Sequence, residues 1–292
     1  MEGKLGVHAL IFGDDWSAKG AEFTCRSAVE IGYELIELLM FDPFAFDLEL
    51  TRRVVPAHGL GLRLGMALGP EADISSTDSE TAERGEHTVA RALEIAAELG
   101  APGVSGITYA AFASYGAGQT ETDRRRVAER LSRLDRRAGD LGVKLGLEPV
   151  NRYESYMVNT LDQAAALIRE VDGRNMFVHM DTFHMNIEEA DIAGSIARNA
   201  PLLGHAHVAE NHRGVVGSGT FDLAGYFRAL ARADYQGDFV AEGFSGGLVG
   251  PDLVAGVRLW RSAYADPVTA ARIAFQTMQA AKHAAVAAVR PW

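Results

Sequence analysis

The chain has 292 residues, 48% of them hydrophobic and 23% charged, an ordinary globular composition with material for one large core or two small ones. Its 28 lysines and arginines against 39 aspartates and glutamates give a net charge of −11, a field that repels phosphate polymers and anionic lipid, so neither nucleic acid nor membrane is expected as a partner. Cys25 is the sole cysteine, which excludes an intrachain disulfide and a cysteine-built zinc site and fits a cytoplasmic location.

The apolar run from Leu5 to Phe12 meets Asp14 and Asp15 at once, too short and too acidic for a signal peptide, and reads as a first strand over 6–12. No window reaches the roughly 18 consecutive apolar residues of a transmembrane helix. Further short apolar runs follow at 34–40, 62–68, 103–109, 143–150, 176–181, 202–209 and 238–244. Between them lie helical patterns, such as Val89, Leu93, Ala96 and Leu99, or Val127, Leu131, Leu134, Ala138 and Leu141, at steps of three and four. Gly32, Gly100 and Gly142 stand where helices should end before the next strand.

Eight strand-plus-helix units in about 250 residues predict a single-domain α/β fold of the (β/α)8 TIM-barrel type. The competitor, an open doubly wound sheet, is disfavoured because no G-x-G-x-x-G follows the first strand. The segment from Pro251 to Trp292 reads as two extra helices broken near Asp266 and Pro267, extending the outer layer or making a subunit contact.

Functional groups of a barrel collect at the carboxyl ends of its strands. Strand five ends at Glu148, six at Asp181, seven carries His207 and eight carries Glu242, at intervals of 33, 26 and 35 residues, each close to one βα unit. Taken singly, each residue reads as a buried polar group satisfied by backbone or arginine. Four at unit spacing converge on one point, and three carboxylates there repel one another unless a cation lies between them. The donor set suits Mn²⁺ or Mg²⁺, with Co²⁺ possible and Zn²⁺ less favoured.

Just beyond these positions come Glu154, His184 and Arg213, each where a loop leaves the barrel top. A carboxylate, an imidazole and a guanidinium can hold a polyhydroxylated ligand. The plainer alternatives are a helix cap for Glu154 and a surface salt bridge for Arg213.

The segments LEPVNRYE (147–154), HMDTFHMNIEE (179–189), HVAENHRG (207–214) and VAEGF (240–244), with GVHAL and MFDPFAFD upstream, resemble the D-tagatose 3-epimerase family in order and spacing over essentially the whole chain. That family includes the D-allulose (D-psicose) and L-ribulose 3-epimerases. The resemblance implies that Glu148, Asp181, His207 and Glu242 bind a metal, usually Mn²⁺, and that Glu154, His184 and Arg213 hold the ketose near C1 to C3. It also implies a homodimer or homotetramer. Pro149 stands where several relatives have valine. Pocket contacts to the far end of the sugar are less well marked; Trp16, Met66, Tyr109 and Phe244 are the candidates.

Inverting C3 requires removing a proton beside a carbonyl and returning one from the other side, so the implied chemistry runs through a metal-stabilised enediolate with Glu148 and Glu242 as acid and base on opposite faces. An aldose–ketose isomerase or inosose dehydratase could use almost the same cage. An endonuclease acting on abasic DNA would want more histidines and a basic groove, and a non-catalytic sugar binder would not need two carboxylates on a metal.

Other features read as structural. The loop GVVGSGTFD (214–222) lacks a lysine and is expected to be a connection capped by Thr220 or Asp222, not a phosphate cradle. Seven arginines between about 122 and 141 alternate with Asp123, Glu129, Asp135 and Asp140, as on a solvated, salt-bridged helix face. His205 should point into the barrel one layer below His207 with a hydrogen-bond partner, Glu37 is a strand carboxylate with no evident partner, and Cys25 is a small core residue near Phe23 and Val29.

Overall fold

The computed structural model describes residues 1–113 and 115–289. Strands and helices alternate along the chain: β1 (Leu5–His8), α1 (Ala18–Ile31), β2 (Leu35–Met40), α2 (Leu48–Ala57), β3 (Gly61–Leu68), α3 (Ser79–Leu99) and β4 (Gly103–Ala111). They continue with α4 (Glu121–Leu141), β5 (Lys144–Leu147), α5 (Leu161–Glu170), β6 (Met176–Asp181), α6 (Thr182–Glu188), α7 (Ile192–Asn199) and β7 (Leu203–Val208). The last elements are α8 (Leu223–Arg232), β8 (Asp238–Ala241), α9 (Pro251–Gly256) and α10 (Pro267–Val289).

Each strand pairs in parallel with the next, and β8 returns to β1 with Leu5 opposite Phe239 and Val7 opposite Ala241, so the eight strands close into a barrel. Strands covered by helices outside and packed side chains inside are buried on both faces, which is why β2 and β6 read as nearly unbroken apolar runs. Side-chain caps start the helices: Ser17, Asp47, Asp78, Thr120, Thr160 and Asp222 each accept a backbone N–H from the first turn. Gly32, Gly100 and Gly142 close α1, α3 and α4 in the left-handed region, at φ 114°, 67° and 69°.

Three strands depart from the expected ranges in ways that matter for the barrel mouth. β1 stops at His8, whose Nδ1 accepts the Leu10 N–H at 3.2 Å and turns the chain into one 3₁₀ turn instead of continuing to Phe12. β5 and β8 have only four residues, so Glu148 and Glu242 are the first residues beyond them. Both stay anchored to the ladder, Glu148 N–H donating to Gly106 O at 3.1 Å and Glu242 N–H to Val208 O at 3.0 Å.

At the other end Asp238 ties the closing seam: it accepts from the Lys4 backbone at 2.8 Å and from Arg63 Nε at 3.0 Å, linking β8 to β1 and β3. α10 lies against α8 and α1, where a barrel's eighth outer helix belongs. Its alanines 270, 271 and 274 are buried, and Tyr33 donates its hydroxyl proton to Ala271 O at 2.8 Å. Of the two placements expected for the carboxyl-terminal helices, α10 takes the outer layer; its last positions, 290–292, lie outside the described residues. Among the described residues no helix is long and apolar enough to cross a membrane.

The arginine-rich face of α4 is salt-bridged as expected, but mostly to its neighbour helix. Arg130 and Arg133 share Glu86 of α3 at 2.8 and 2.7 Å, and Arg137 reaches Glu94 of α3 at 2.7 Å. Asp135, expected among the helix's own partners, is buried and accepts from the Asn175 backbone at 2.7 Å.

Candidate active site

Asp181 and His207 are register partners on β6 and β7, so their side chains enter the barrel mouth side by side. Glu148 and Glu242 join them from the neighbouring strand ends, and all four side chains are buried. Donor atoms of Glu148, Asp181 and His207 lie within 4.8 Å of one another. His207 Nδ1 is 3.2 Å from Glu242 Oε1 and 3.9 Å from Glu148 Oε1. Asp181 Oδ1 caps α6 by accepting the Phe183 N–H at 2.7 Å, but Asp181 Oδ2, His207 Nδ1 and Glu242 Oε2 are buried with no hydrogen-bond partner.

The electrostatics show the same deficit of positive charge. Burial, together with the charges of Asp181 and Glu242, holds the Glu148 carboxyl well above the usual range against the opposing pull of His207. Burial and then Glu242 push Asp181 up to about 7. His207 moves the other way: burial alone would lower it, yet Glu37 and Glu242 hold its imidazole well above its ordinary value. Three acids and one imidazole at one point, three of the four with an unpartnered buried atom, fit a hard or borderline divalent cation.

Above this cluster, Arg213 sits in the loop after β7 with φ 56° and is buried. Its Nη1 donates to Glu154 Oε1 at 3.0 Å, its Nη2 is 3.1 Å from His184 Nε2, and its guanidinium lies 4.2 Å over the Phe183 ring. His184 Nδ1 accepts the Asn151 backbone N–H at 3.0 Å. Burial and the Arg213 charge hold that imidazole well below its ordinary value, and its Nε2 is also 3.6 Å from Asp181 Oδ2. The surface salt bridge and the helix cap are thereby set aside: Glu154 and Arg213 are buried partners at the site.

Glu148, Glu154, His184, His207, Arg213 and Glu242 line one wall of a cavity of about 90 Å³; Leu10, Met66 and Phe244 contribute apolar surface to it. It adjoins an apolar chamber of about 290 Å³ with which it shares Leu39, Ala67, Phe112, Leu253 and Val257. Met66 and Phe244 line the cavity, whereas Trp16 and Tyr109 do not. The early end of β1 carries Trp16 to the groove between α1 and α2, where its Nε1–H donates to Thr51 Oγ1 at 3.0 Å. The register of β4 against β3 jumps from Ile107 to Ala111, breaking the alternation that would have aimed Tyr109 inward. Its hydroxyl instead donates to Glu148 O at 2.8 Å and Val158 O at 3.1 Å, bracing the backbone that carries Glu148.

The sequence reading did not pick out Asn151, Phe183, Phe112 or Leu253. Only Asn151 and Phe183 had a signal, since both lie inside quoted motif segments. The glycine loop after β7 is filled from within: Glu210 accepts the Gly217 N–H at 2.8 Å, and Asp222 caps α8.

Residues 25–264 match a family model described as xylose isomerase-like TIM barrel. The ketose 3-epimerase of Arthrobacter globiformis is 36% identical over 263 residues, covering 90% of this chain and 91% of its own. The chain belongs to the ketose 3-epimerases of that barrel family. Another ketose 3-epimerase relative, the L-ribulose 3-epimerase of Methylomonas sp. (strain DH-1), is 35% identical over 90% of this chain and 92% of its own. The D-allulose 3-epimerase from Methylomonas sp., solved in complex with D-allulose, superposes with a TM-score of 0.92 at 33% identity, over 96% of this chain and 97% of that one.

Proposed function

We propose that this ketose 3-epimerase inverts C3 of a free, non-phosphorylated ketohexose or ketopentose, such as D-fructose and D-allulose, D-tagatose or L-ribulose, and that Glu148, Asp181, His207 and Glu242 hold the divalent cation it needs. The observation that carries this reading is the meeting of those four side chains, of which Asp181, His207 and Glu242 each keep a buried atom without a hydrogen-bond partner. Mn²⁺ is the ion proposed, and the same donors admit Mg²⁺ or Co²⁺. When bound, the cation supplies positive charge beside the carbonyl, where negative charge develops as C3 loses its proton.

Glu148 and Glu242 reach the cavity from β5 and β8, on either side of the paired Asp181 and His207. One carboxylate takes the C3 proton, and the other, as a carboxylic acid, returns a proton to the opposite face. The imidazole of His184 and the guanidinium of Arg213 hold the oxygens of C1 to C3, with Glu154 keeping Arg213 in place. Filling of the glycine loop by Glu210 favours a sugar without phosphate. The carbon chain beyond C3 then lies against the apolar wall of Phe112, Leu253 and Val257, which excludes water.

The purified protein, incubated with Mn²⁺ and each ketose in deuterated water, is expected to exchange the hydrogen at C3 and form the C3 epimer, both read by NMR. Exchange at C1 instead would indicate an aldose–ketose isomerase. No exchange with any ketose would defeat the proposal.

A further inference from the structure

Glu37 lies on β2, across the barrel from His205 and His207 of β7, and is fully buried. Its two oxygens are used separately: Oε1 is 2.9 Å from His207 Nε2, and Oε2 is 2.6 Å from His205 Nε2. We propose that Glu37 is a positioning residue that holds the Nδ1 lone pair of His207 toward Glu148, Asp181 and Glu242, using His205 as the second donor that keeps a buried carboxylate satisfied. The inference rests on the cation-binding reading above.

A carboxylate only accepts hydrogen bonds, so both imidazoles must carry a proton on Nε2. In the neutral ring that leaves Nδ1 as the bare nitrogen, and for His207 this is the atom 3.2 Å from Glu242 Oε1. The outer partner of a metal-binding histidine in this way selects its tautomer and raises its basicity. His205 Nδ1 is buried without a partner, so the bond to Glu37 is the one hydrogen bond its ring makes.

The rings also have little freedom to turn. His179 packs edge-on against His207 with centroids 4.1 Å apart, and lies tilted against His205 at 4.6 Å. Space for the carboxylate comes from Gly65 on β3, where an added Cβ would stand 3.1 Å from Glu37 Oε1. Of the neighbouring His179, His205 and His207, the last two are thereby committed to the carboxylate. Both Nε2 atoms are taken by Glu37, and His207 Nδ1 faces the carboxylates.

Glu37→Gln tests this with the shape kept. Glutamine offers one acceptor and one donor where the carboxylate offers two acceptors, so one of the two imidazoles must lose its partner or move its proton to Nδ1. Calorimetric titration of chelator-stripped protein with Mn²⁺ is expected to show affinity about 10- to 100-fold below wild type. Two-dimensional NMR of ¹⁵N-histidine in the Mg²⁺-loaded wild type should show His207 protonated on Nε2. If Glu37→Gln does not fold, Gly65→Ala serves instead, since its methyl crowds Glu37 Oε1 while every histidine and carboxylate remains; its Mn²⁺ affinity is also expected to fall. Affinity within twofold of wild type in the folded variant, or a wild-type His207 proton on Nδ1, overturns the inference while leaving the cation reading intact. A wild type that binds no divalent cation takes both down.

Discussion

Arg213 and Glu154 stand 59 positions apart in the chain and meet at 3.0 Å in the cavity wall, both buried. Removing one partner strands the other charge in a low-dielectric site. Arg213→Ala is therefore expected to cost about 3–5 kcal/mol in urea unfolding and to lower kcat/KM for the best ketose. Arg213→Lys should recover part of the stability but not the activity, because an ammonium cannot bridge Glu154 and a sugar oxygen as the planar fork does. An unchanged kcat/KM in Arg213→Ala removes Arg213 from the site.

Glu148→Gln and Glu242→Gln should each abolish formation of the C3 epimer, with a loss of at least about 10² in rate and an unchanged circular dichroism spectrum. Near-normal turnover in either variant defeats the assignment of two carboxylates to the two proton transfers.

Stripping the protein with a chelator should lower its melting temperature, because buried carboxylates then face one another unscreened. Mn²⁺ at a hundred times its Kd adds about 2.7 kcal/mol of stability, or roughly 5 °C for a chain of this size. A melting temperature indifferent to Mn²⁺, measured by differential scanning fluorimetry, contradicts the donor set.

Tyr109→Phe deletes the hydroxyl that Glu148 O and Val158 O accept from. The expected cost is about 1–3 kcal/mol, with a lower kcat and little change in KM, since the ring does not line the cavity. A raised KM at unchanged stability would show that Tyr109 touches the sugar after all.

Away from the site, the hydrogen bond from Arg133 outweighs burial and, with the charges of Arg133 and Arg130, holds the Glu86 carboxyl below its usual range. A depressed acid stabilises the fold above its unfolded-state value and loses that contribution as pH falls through the lowered one. Glu86→Gln should cost up to about 1 kcal/mol at neutral pH. The difference from wild type should hold steady above roughly pH 5 and vanish in stronger acid, as followed by urea unfolding across the range.

What could be read from the sequence was what repeats locally. Strands buried on both faces leave apolar runs, helices leave steps of three and four, and a closed parallel barrel puts the ends of consecutive strands on one face, so the meeting of Glu148, Asp181, His207 and Glu242 was legible from spacing alone. Tyr109 was misplaced because a register jump in β4 leaves no local signature in composition. Glu37 had no visible partner because its partners are 168 and 170 positions away on the far wall. The arginines of α4 looked self-paired because Glu86 and Glu94 belong to a neighbouring helix that only the outer layer brings alongside.

The seam between β8 and β1 also sets an order of events during synthesis. Lys4 cannot meet Asp238 until 234 further positions have been translated, and Tyr33 waits longer still for Ala271. Until then the nascent sheet carries two raw edges, each a template for pairing with another polypeptide. A chain stopped before β8 leaves β1 without its closing partner, so it is expected to keep both edges open to other polypeptides and not to close into a smaller barrel.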